Sequence, residues 1–154
     1  MIGRHIYART VRMSADLARD RFVHARVARL ATVSADGVPH LVPITFAVAG
    51  DRVYFAVDAK PKSTRALRRL SNIAANPAVS VLADRYDEDW TQLWWARADG
   101  TAQVVDVAAE PVGVELLAAR YRAYVEQPPR GPMVVVAVTR WSGWQAARSS
   151  AWSG

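Results

Sequence analysis

The chain has 154 residues and a formal net charge of +6, with 51% hydrophobic residues, a composition that fits a single globular domain and excludes a disordered protein. It contains no cysteine, which excludes disulfides, thiolate catalysis and thiolate metal sites. Because no apolar run approaches the ~20 residues of a membrane helix, and residues 1–12 lack a signal-peptide core, we expect a cytoplasmic protein.

The first predicted element is a helix over residues 14–27. Ser14 is a suitable N-cap residue, and apolar side chains recur after it at helical spacing. Residues 1–12 show no clear period, so we expect a disordered leader there. The sequence thus predicts a domain over residues 13–146, followed by a C-terminal tail over 147–154.

Three β-rich runs follow, over residues 30–34, 38–48 and 52–57. The pairs Asp36-Gly37 and Gly50-Asp51 separate them, and both pairs are typical of tight turns. The second run contains Pro39 and Pro43, which lack the N–H group of a ladder donor, so we expect an edge or bulged strand.

Three further strands and two further helices complete the prediction. Asp99-Gly100 lies inside one of the strands and indicates a bulge. The order favours an α+β domain, a six-stranded antiparallel β-barrel with flanking helices. The remaining strands are predicted at 76–86, 93–105 and 131–145; one remaining helix is predicted to begin near residue 64, and the other to span 108–127.

A basic segment, residues 58–77, connects the third strand to the fourth. Both lysines of the chain, Lys60 and Lys62, lie in it. Ser63 can cap a helix that begins near Thr64, and the free N–H groups of such a helix end attract anions. Three interpretations compete: a solvated helix face, a nucleic-acid patch, and a binding site for a phosphorylated small molecule. The cations ahead of the helix favour the third.

The helix within this segment has one polar and one apolar face. The spacing of three and four residues places several cations together, which extends the predicted phosphate site along the helix. The polar face carries Arg65, Arg68, Arg69 and Asn72, and the apolar face carries Leu67, Leu70 and Ile73.

Six tryptophans are many for this length. Trp94 and Trp95 are strand neighbours that must face opposite sides, so one can pack in the core while the other meets a planar ligand or a partner subunit. The acidic run at 84–90 reads as a solvated turn. No catalytic triad, metal-ligand spacing or nucleotide loop is present, which indicates that a bound cofactor supplies the chemistry.

Three quoted stretches carry a family resemblance. The stretches "ARVARLATVSADGVPHLVPITFAV", "KPKSTRALRRLSNIAANPAVSVLADRYDEDW" and "LWWARADGTAQVV" together resemble the pyridoxamine-phosphate-oxidase-like split β-barrel superfamily. Within it the pattern is most similar to the actinobacterial flavin/deazaflavin oxidoreductases, many of which use coenzyme F420. The resemblance covers about residues 13–145. It implies a homodimer with two cofactor grooves at the subunit interface.

The resemblance also implies the positions that hold the cofactor. Relatives carry K-x-R-N-[LI] before the N-P pair, whereas here Arg69 replaces the lysine and Ser71 the arginine. We expect the ring to be bordered by Thr32, Val33, Pro43, Ile44 and Thr45 and closed over by Trp94, Trp95 and Trp144. We expect the phosphate to be bound by Lys60, Lys62, Ser63, Thr64, Arg65, Arg69 and Asn72.

The leading functional expectation is an oxidoreductase that reduces a small organic substrate by hydride transfer from F420. The alternatives are an FMN-dependent oxidoreductase of the pyridoxamine-phosphate-oxidase type and a non-catalytic flavin- or haem-binding protein. Binding of nucleic acid is disfavoured because no recognition helix or RNA-binding signature is present, and no membrane partner is expected. No general acid is assigned; Tyr86 and Thr45 are the candidates for a proton donor.

Overall fold

A computed structural model of the chain describes residues 10–57 and 64–147, and the side chains of the second range from residue 68 onward. The helices of this part are α1 (Ala15–His24), α2 (Thr64–Ala75), α3 (Pro111–Arg120) and α4 (Arg122–Glu126). The strands are β1 (Thr10–Arg12), β2 (Ala28–Val33), β3 (Pro39–Ile44), β4 (Ala47–Ala49), β5 (Arg52–Ala56), β6 (Ala78–Arg85), β7 (Trp94–Val105) and β8 (Met133–Ala146).

Local chemistry fixes the ends of several elements. The Ser14 side chain accepts a hydrogen bond from the backbone N–H of Leu17 at 3.2 Å, which confirms the predicted cap of α1. Gly37 and Gly50 have φ angles of 80° and 58° at the two predicted turns, a region that glycine enters without steric cost. The ladder between β7 and β8 shifts register between Asp99 and Gly100, which confirms the predicted bulge.

The strands form one antiparallel sheet in the order β3-β2-β6-β7-β8-β5-β4, and β1 pairs with β8. Strand β8 pairs with β7 along one edge over almost its whole length. Its other edge is divided, since the first part pairs with β5 and the last part with β1. The long strand β8 therefore joins two parts of the sheet, the strands β3-β2-β6-β7 on one side and β5-β4 on the other.

The prediction of a six-stranded barrel was wrong in two respects. The sheet has eight strands and does not close into a barrel. The predicted second run divides at Thr45 and Phe46 into β3 and β4, which lie at opposite ends of the sheet. The other additional strand is β1, within the predicted leader. Strand β3 remains an edge strand, as its prolines predicted, because they cannot donate to a further strand.

The core fills the space between the sheet and helices α1 and α2. The Phe22 ring of α1 lies 4.8 Å from the Phe46 ring and 5.2 Å from the Trp141 ring, between centroids. A second cluster under α3 contains Tyr54, Leu117 and Met133. Burial of these side chains is the main driving force for packing the helices on the sheet.

The helix predicted at 108–127 is two helices, not one. Tyr121 separates α3 from α4 with extended backbone angles, φ −126° and ψ 115°. The break has a tertiary cause: in this conformation the Tyr121 hydroxyl reaches the backbone of Phe46, from which it accepts a hydrogen bond at 3.2 Å.

Candidate functional site

A buried hydrogen bond attaches α2 to the edge of the sheet. The side-chain amide of Asn72 donates to the Thr32 hydroxyl at 3.0 Å, and the two residues are 4% and 1% exposed. Ile73, next to Asn72, packs in the main core. The solvent exposure of the polar face predicted for α2 therefore varies from residue to residue: Arg68 is exposed, Arg69 half-buried and Asn72 buried.

Arg69 is the cation with the most unusual surroundings in this region. Its Nε–H is shielded from solvent and has no hydrogen-bond partner within the described part of the chain. Burial lowers the pKa of its guanidinium group, because desolvation disfavours the charged form. A shielded donor on a cation is costly unless an acceptor, best an anion, lies against it.

The rest of the predicted phosphate site is only partly described. Lys60, Lys62 and Ser63 lie outside the described residues. Thr64 and Arg65 form the first turn of α2 in the backbone. The amino-terminal end of α2, which follows Lys60, Lys62 and Ser63 directly in the sequence, is the helix end that favours anions.

The predicted ring-bordering residues lie along β2, β3 and the bend after β3. Val33 and Pro43 face the outer side of the sheet, whereas Ile44 is buried in the core. Thr45 is exposed on the bend, and its hydroxyl lies 3.1 Å from that of Tyr124. The Ile44 side chain therefore cannot contact a ligand on the outer side of the sheet, and only its backbone can do so.

The neighbouring tryptophans occupy opposite sides of β7, as predicted. Trp94 packs against the main core. Trp95 faces the outer side, where it lies directly opposite Trp144 of β8, and the guanidinium carbon of Arg97 is 5.7 Å from its ring centroid. Trp144 is 40% exposed, so this outer aromatic pair is open to a ligand or a partner.

The structure separates the predicted site residues into two groups along the sheet. Ala31, the neighbour of Thr32, pairs with Ser80 of β6. Trp94 pairs with Arg85, the last residue of the same strand β6. The five residue steps from Ser80 to Arg85 correspond to about 17 Å along a strand. The α2 group and the tryptophan group therefore do not touch, and only an elongated ligand can reach both.

Tyr121 has a structural role that was not predicted from the sequence. The Tyr121 hydroxyl lies 2.8 Å from the carbonyl oxygen of Arg26 and 3.1 Å from that of Phe46. Together with Tyr124 it fixes the bend that carries Thr45. The only available signal was the polar tip of two tyrosines in an otherwise apolar pattern.

Two further findings limit the chemistry of the site. Among the described residues, no group of three or more histidines and carboxylates is placed to hold a metal ion. Within the same residues, every helix is too short or too polar to span a membrane.

The fold is that of an α+β protein with an antiparallel sheet, and the half-buried guanidinium of Arg69 lies on α2 beside its edge. The chain belongs to the pyridoxamine 5'-phosphate oxidase family, whose model matches residues 15–146. No curated protein matches the sequence closely enough to count as a relative.

Several solved structures share the fold. A FAD-binding protein from Mesorhizobium loti has a TM-score of 0.70 at 19% identity, over 90% of this chain and 99% of that chain. A conserved hypothetical protein from Mycobacterium tuberculosis has a TM-score of 0.67 at 26% identity, over 86% of this chain and 85% of that chain. A FAD-binding protein from Mycobacterium smegmatis has a TM-score of 0.62 at 22% identity, over 89% of this chain and 99% of that chain.

Proposed function

We propose that the protein is an oxidoreductase that binds a flavin or deazaflavin through its phosphate and reduces a small organic substrate. Membership of the pyridoxamine 5'-phosphate oxidase family supports a redox role. Two proteins of the same fold are named as FAD-binding, which supports a flavin-type ring.

The observation that carries the proposal is the shielded Nε–H of Arg69. A half-buried guanidinium with an unpaired donor stabilises the protein poorly by itself, and an incoming phosphate oxygen would satisfy it with a charge-assisted hydrogen bond. Asn72 and Thr32 hold the following turn of α2 against β2, so Arg69 is presented on a fixed backbone. The residues present therefore fit a phosphate group.

The finer proposal concerns which cofactor binds. We favour coenzyme F420, because Lys60 and Lys62 add cations that a single phosphate leaves unused, whereas the F420 tail carries glutamate carboxylates as well as phosphate. FMN and FAD are the competing ligands, and the names of the two FAD-binding neighbours favour them.

When bound, a reduced deazaflavin or flavin supplies a hydride. The protein's own contribution is then to bind and orient. Arg69 would neutralise the phosphate, and the outer faces of β2 and β3, with Val33 and Pro43, would border the ring. Thr45, whose hydroxyl is oriented by Tyr124, would offer a proton or a hydrogen bond at the bend.

The proposed active form is a homodimer. Leu41 and Val38 are 68% and 54% exposed at the β3 edge, and Trp144 is 40% exposed on the outer face. Exposed apolar side chains on one face favour an interface. Size-exclusion chromatography with light scattering tests this directly, and a mass of one chain at micromolar concentration would contradict it.

The experiment that tests the proposed function is titration of cofactor-free protein with F420, FMN, FAD and riboflavin, followed by fluorescence. Arg69→Gln is compared with Arg68→Gln, which removes a neighbouring exposed cation. We expect Arg69→Gln to weaken the binding of the phosphate-bearing ligands about tenfold or more. Arg68→Gln should change their affinity little.

Riboflavin, which has no phosphate, should bind wild type and Arg69→Gln equally. Equal losses of affinity for the phosphate-bearing ligands in Arg69→Gln and Arg68→Gln would show a general charge effect rather than a phosphate contact. Binding of a cofactor without any transfer of electrons to nitro or quinone acceptors would identify a binding protein rather than an enzyme.

A further inference from the structure

A cavity of about 570 Å³ lies at the end of the sheet opposite to α2, between α1 and the ends of β6, β7 and β8. This volume is in the range of small-molecule sites. Its walls include Leu17 and Arg21 of α1, Arg85 at the end of β6, Trp94 at the start of β7 and Gln145 of β8. Val11 of β1 and residues 91–93 complete the lining, so the walls come from five elements and one connecting segment.

Both charged groups that line the cavity within the described part of the chain are positive. Arg21 and Arg85 contribute guanidinium groups from separate elements, and no carboxylate is among the described lining residues. Among the described residues Arg21 forms no ion pair. Arg85 forms only a long one, with a carboxylate oxygen of Asp87 at 3.5 Å. The Arg85 side chain is 53% exposed and that of Asp87 is 35% exposed. Such a pair is weak in solvent, so both cations are available to an anion.

The apolar walls of the cavity are built on the core. Leu17 and Trp94 both pack against the main core cluster, and this packing holds their side chains in place. An indole ring beside an aliphatic side chain offers a flat, apolar surface to a planar group. Thr91, Gln92 and Gln145 add neutral hydrogen-bonding groups near the same opening.

The cavity is separate from the proposed cofactor site. None of its lining residues belongs to α2, β2 or β3. Trp94 faces the inner side of β7, whereas Trp95 and Trp144 lie on the outer side. The residue pairs that mark the two regions, Ala31–Ser80 and Trp94–Arg85, are about 17 Å apart along β6.

We propose that this cavity binds a small aromatic carboxylate, with the carboxylate held by Arg21 and Arg85 and the ring against Trp94 and Leu17. Two arginines can each present paired donors to a carboxylate, and the apolar wall accounts for the ring. The site is a second ligand site, independent of the proposed cofactor.

The test is calorimetric titration of the full chain with 2-naphthoate and with 2-naphthylmethanol, which has a similar shape and no charge. The variants are Arg21→Gln and Arg85→Gln, with Arg122→Gln as a matched control on the exposed surface of α4, where the Arg122 side chain is 91% exposed. We expect saturable binding of naphthoate to wild type and to the control. Each cavity variant should bind naphthoate about tenfold more weakly, and the alcohol should bind wild type about tenfold more weakly than naphthoate.

A third variant keeps the proposal testable if either arginine variant fails to fold. Gln92→Trp places a large ring at the exposed rim of the cavity and should abolish binding, with the fold checked by circular dichroism. Arg69→Gln should leave naphthoate binding unchanged, so that failure of the cofactor proposal and failure of this one are distinguishable. No saturable binding to wild type, equal binding of the alcohol, or equal affinities in all arginine variants would overturn the proposal.

Discussion

The Asn72 side chain and the Thr32 hydroxyl form a hydrogen bond of 3.0 Å in which both partners are almost completely buried. The two residues are 40 positions apart in the sequence. The bond is the polar contact that fixes α2 to β2, and α2 carries Arg69. The position of the proposed phosphate contact therefore depends on a neutral pair of side chains.

Thr32→Val is expected to lower the free energy of unfolding by about 1–3 kcal/mol, because it leaves the Asn72 amide buried without its acceptor. Asn72→Ala should cost a similar amount, with an added contribution from the lost packing. Urea denaturation measures both. The double variant should lose less than the sum of the two single losses, and strict additivity would show that the two side chains do not interact.

Arg69→Met is expected to leave the free energy of unfolding of the cofactor-free protein equal to that of wild type or to raise it. The substitution removes a partly desolvated charge with a shielded donor and keeps the apolar stem. The gain in stability on adding cofactor should fall. At 100 times the wild-type Kd, a gain of about 2.7 kcal/mol would drop to about 1.4 kcal/mol for tenfold weaker binding.

Thermal melts with and without cofactor measure the Arg69 effect. Arg68→Met serves as the control, since Arg68 is exposed. A large loss of stability in cofactor-free Arg69→Met would show that the guanidinium is structural.

Tyr121→Phe is expected to destabilise the protein by about 1–3 kcal/mol. The hydroxyl accepts from the Phe46 N–H at 3.2 Å and lies 3.1 Å from the Phe46 carbonyl oxygen, so its removal takes a partner from two part-buried backbone groups. Tyr124→Phe is the control, because its hydroxyl contacts the exposed Thr45. Chemical denaturation should show a clearly smaller loss for the control, and equal losses would refute the special role of Tyr121.

The pKa of Asp89 is lowered, first by the hydrogen bond from the Thr91 hydroxyl, at 2.6 Å, and then by that from the Thr91 backbone N–H, at 3.1 Å. A folded pKa below the unfolded value favours the ionised carboxylate in the folded state. Its stabilising effect is therefore complete above the unfolded pKa of about 3.9, and is lost as the pH falls through the folded pKa.

Thr91→Val removes the larger cause, so the pKa of Asp89 should rise toward its ordinary value. Carboxyl titration by NMR measures this directly. Thr91→Ser keeps the hydroxyl and should keep the pKa low; a pKa that does not respond to Thr91→Val would assign the shift to the backbone contact alone.

Short-range chemistry made much of the fold predictable. Ser14 defined a helix start, the turns at Gly37 and Gly50 separated strands, and Asp99-Gly100 marked a bulge. Each of these signals acts within a few residues of itself. That Trp94 and Trp95 lie on opposite sides of β7 followed from strand alternation in the same way, but which of the two packs in the core did not.

Long-range contacts account for what was not predicted. The run that contains Thr45 and Phe46 shows no breaker at that point, and its bend is set by Tyr121 and Tyr124, which are 75 to 79 positions away. Asn72 was predicted to bind the phosphate, and its buried bond to Thr32 was not foreseen because Thr32 lies on another element. Strand β1 is short and wholly exposed, so only its pairing with β8 defines it.

The divided edge of β8 has a consequence for how the molecule opens. Because β8 pairs with β7 along one edge and with β5 and β1 along the other, displacing β8 breaks backbone pairing on both sides at once. The amides in the middle of β8 should therefore exchange their hydrogens with solvent only when the whole chain unfolds, whereas those of the edge strands β3 and β4 exchange through local fluctuations. The sheet thus behaves as one cooperative unit, and ligands at its two ends share a common rigid frame.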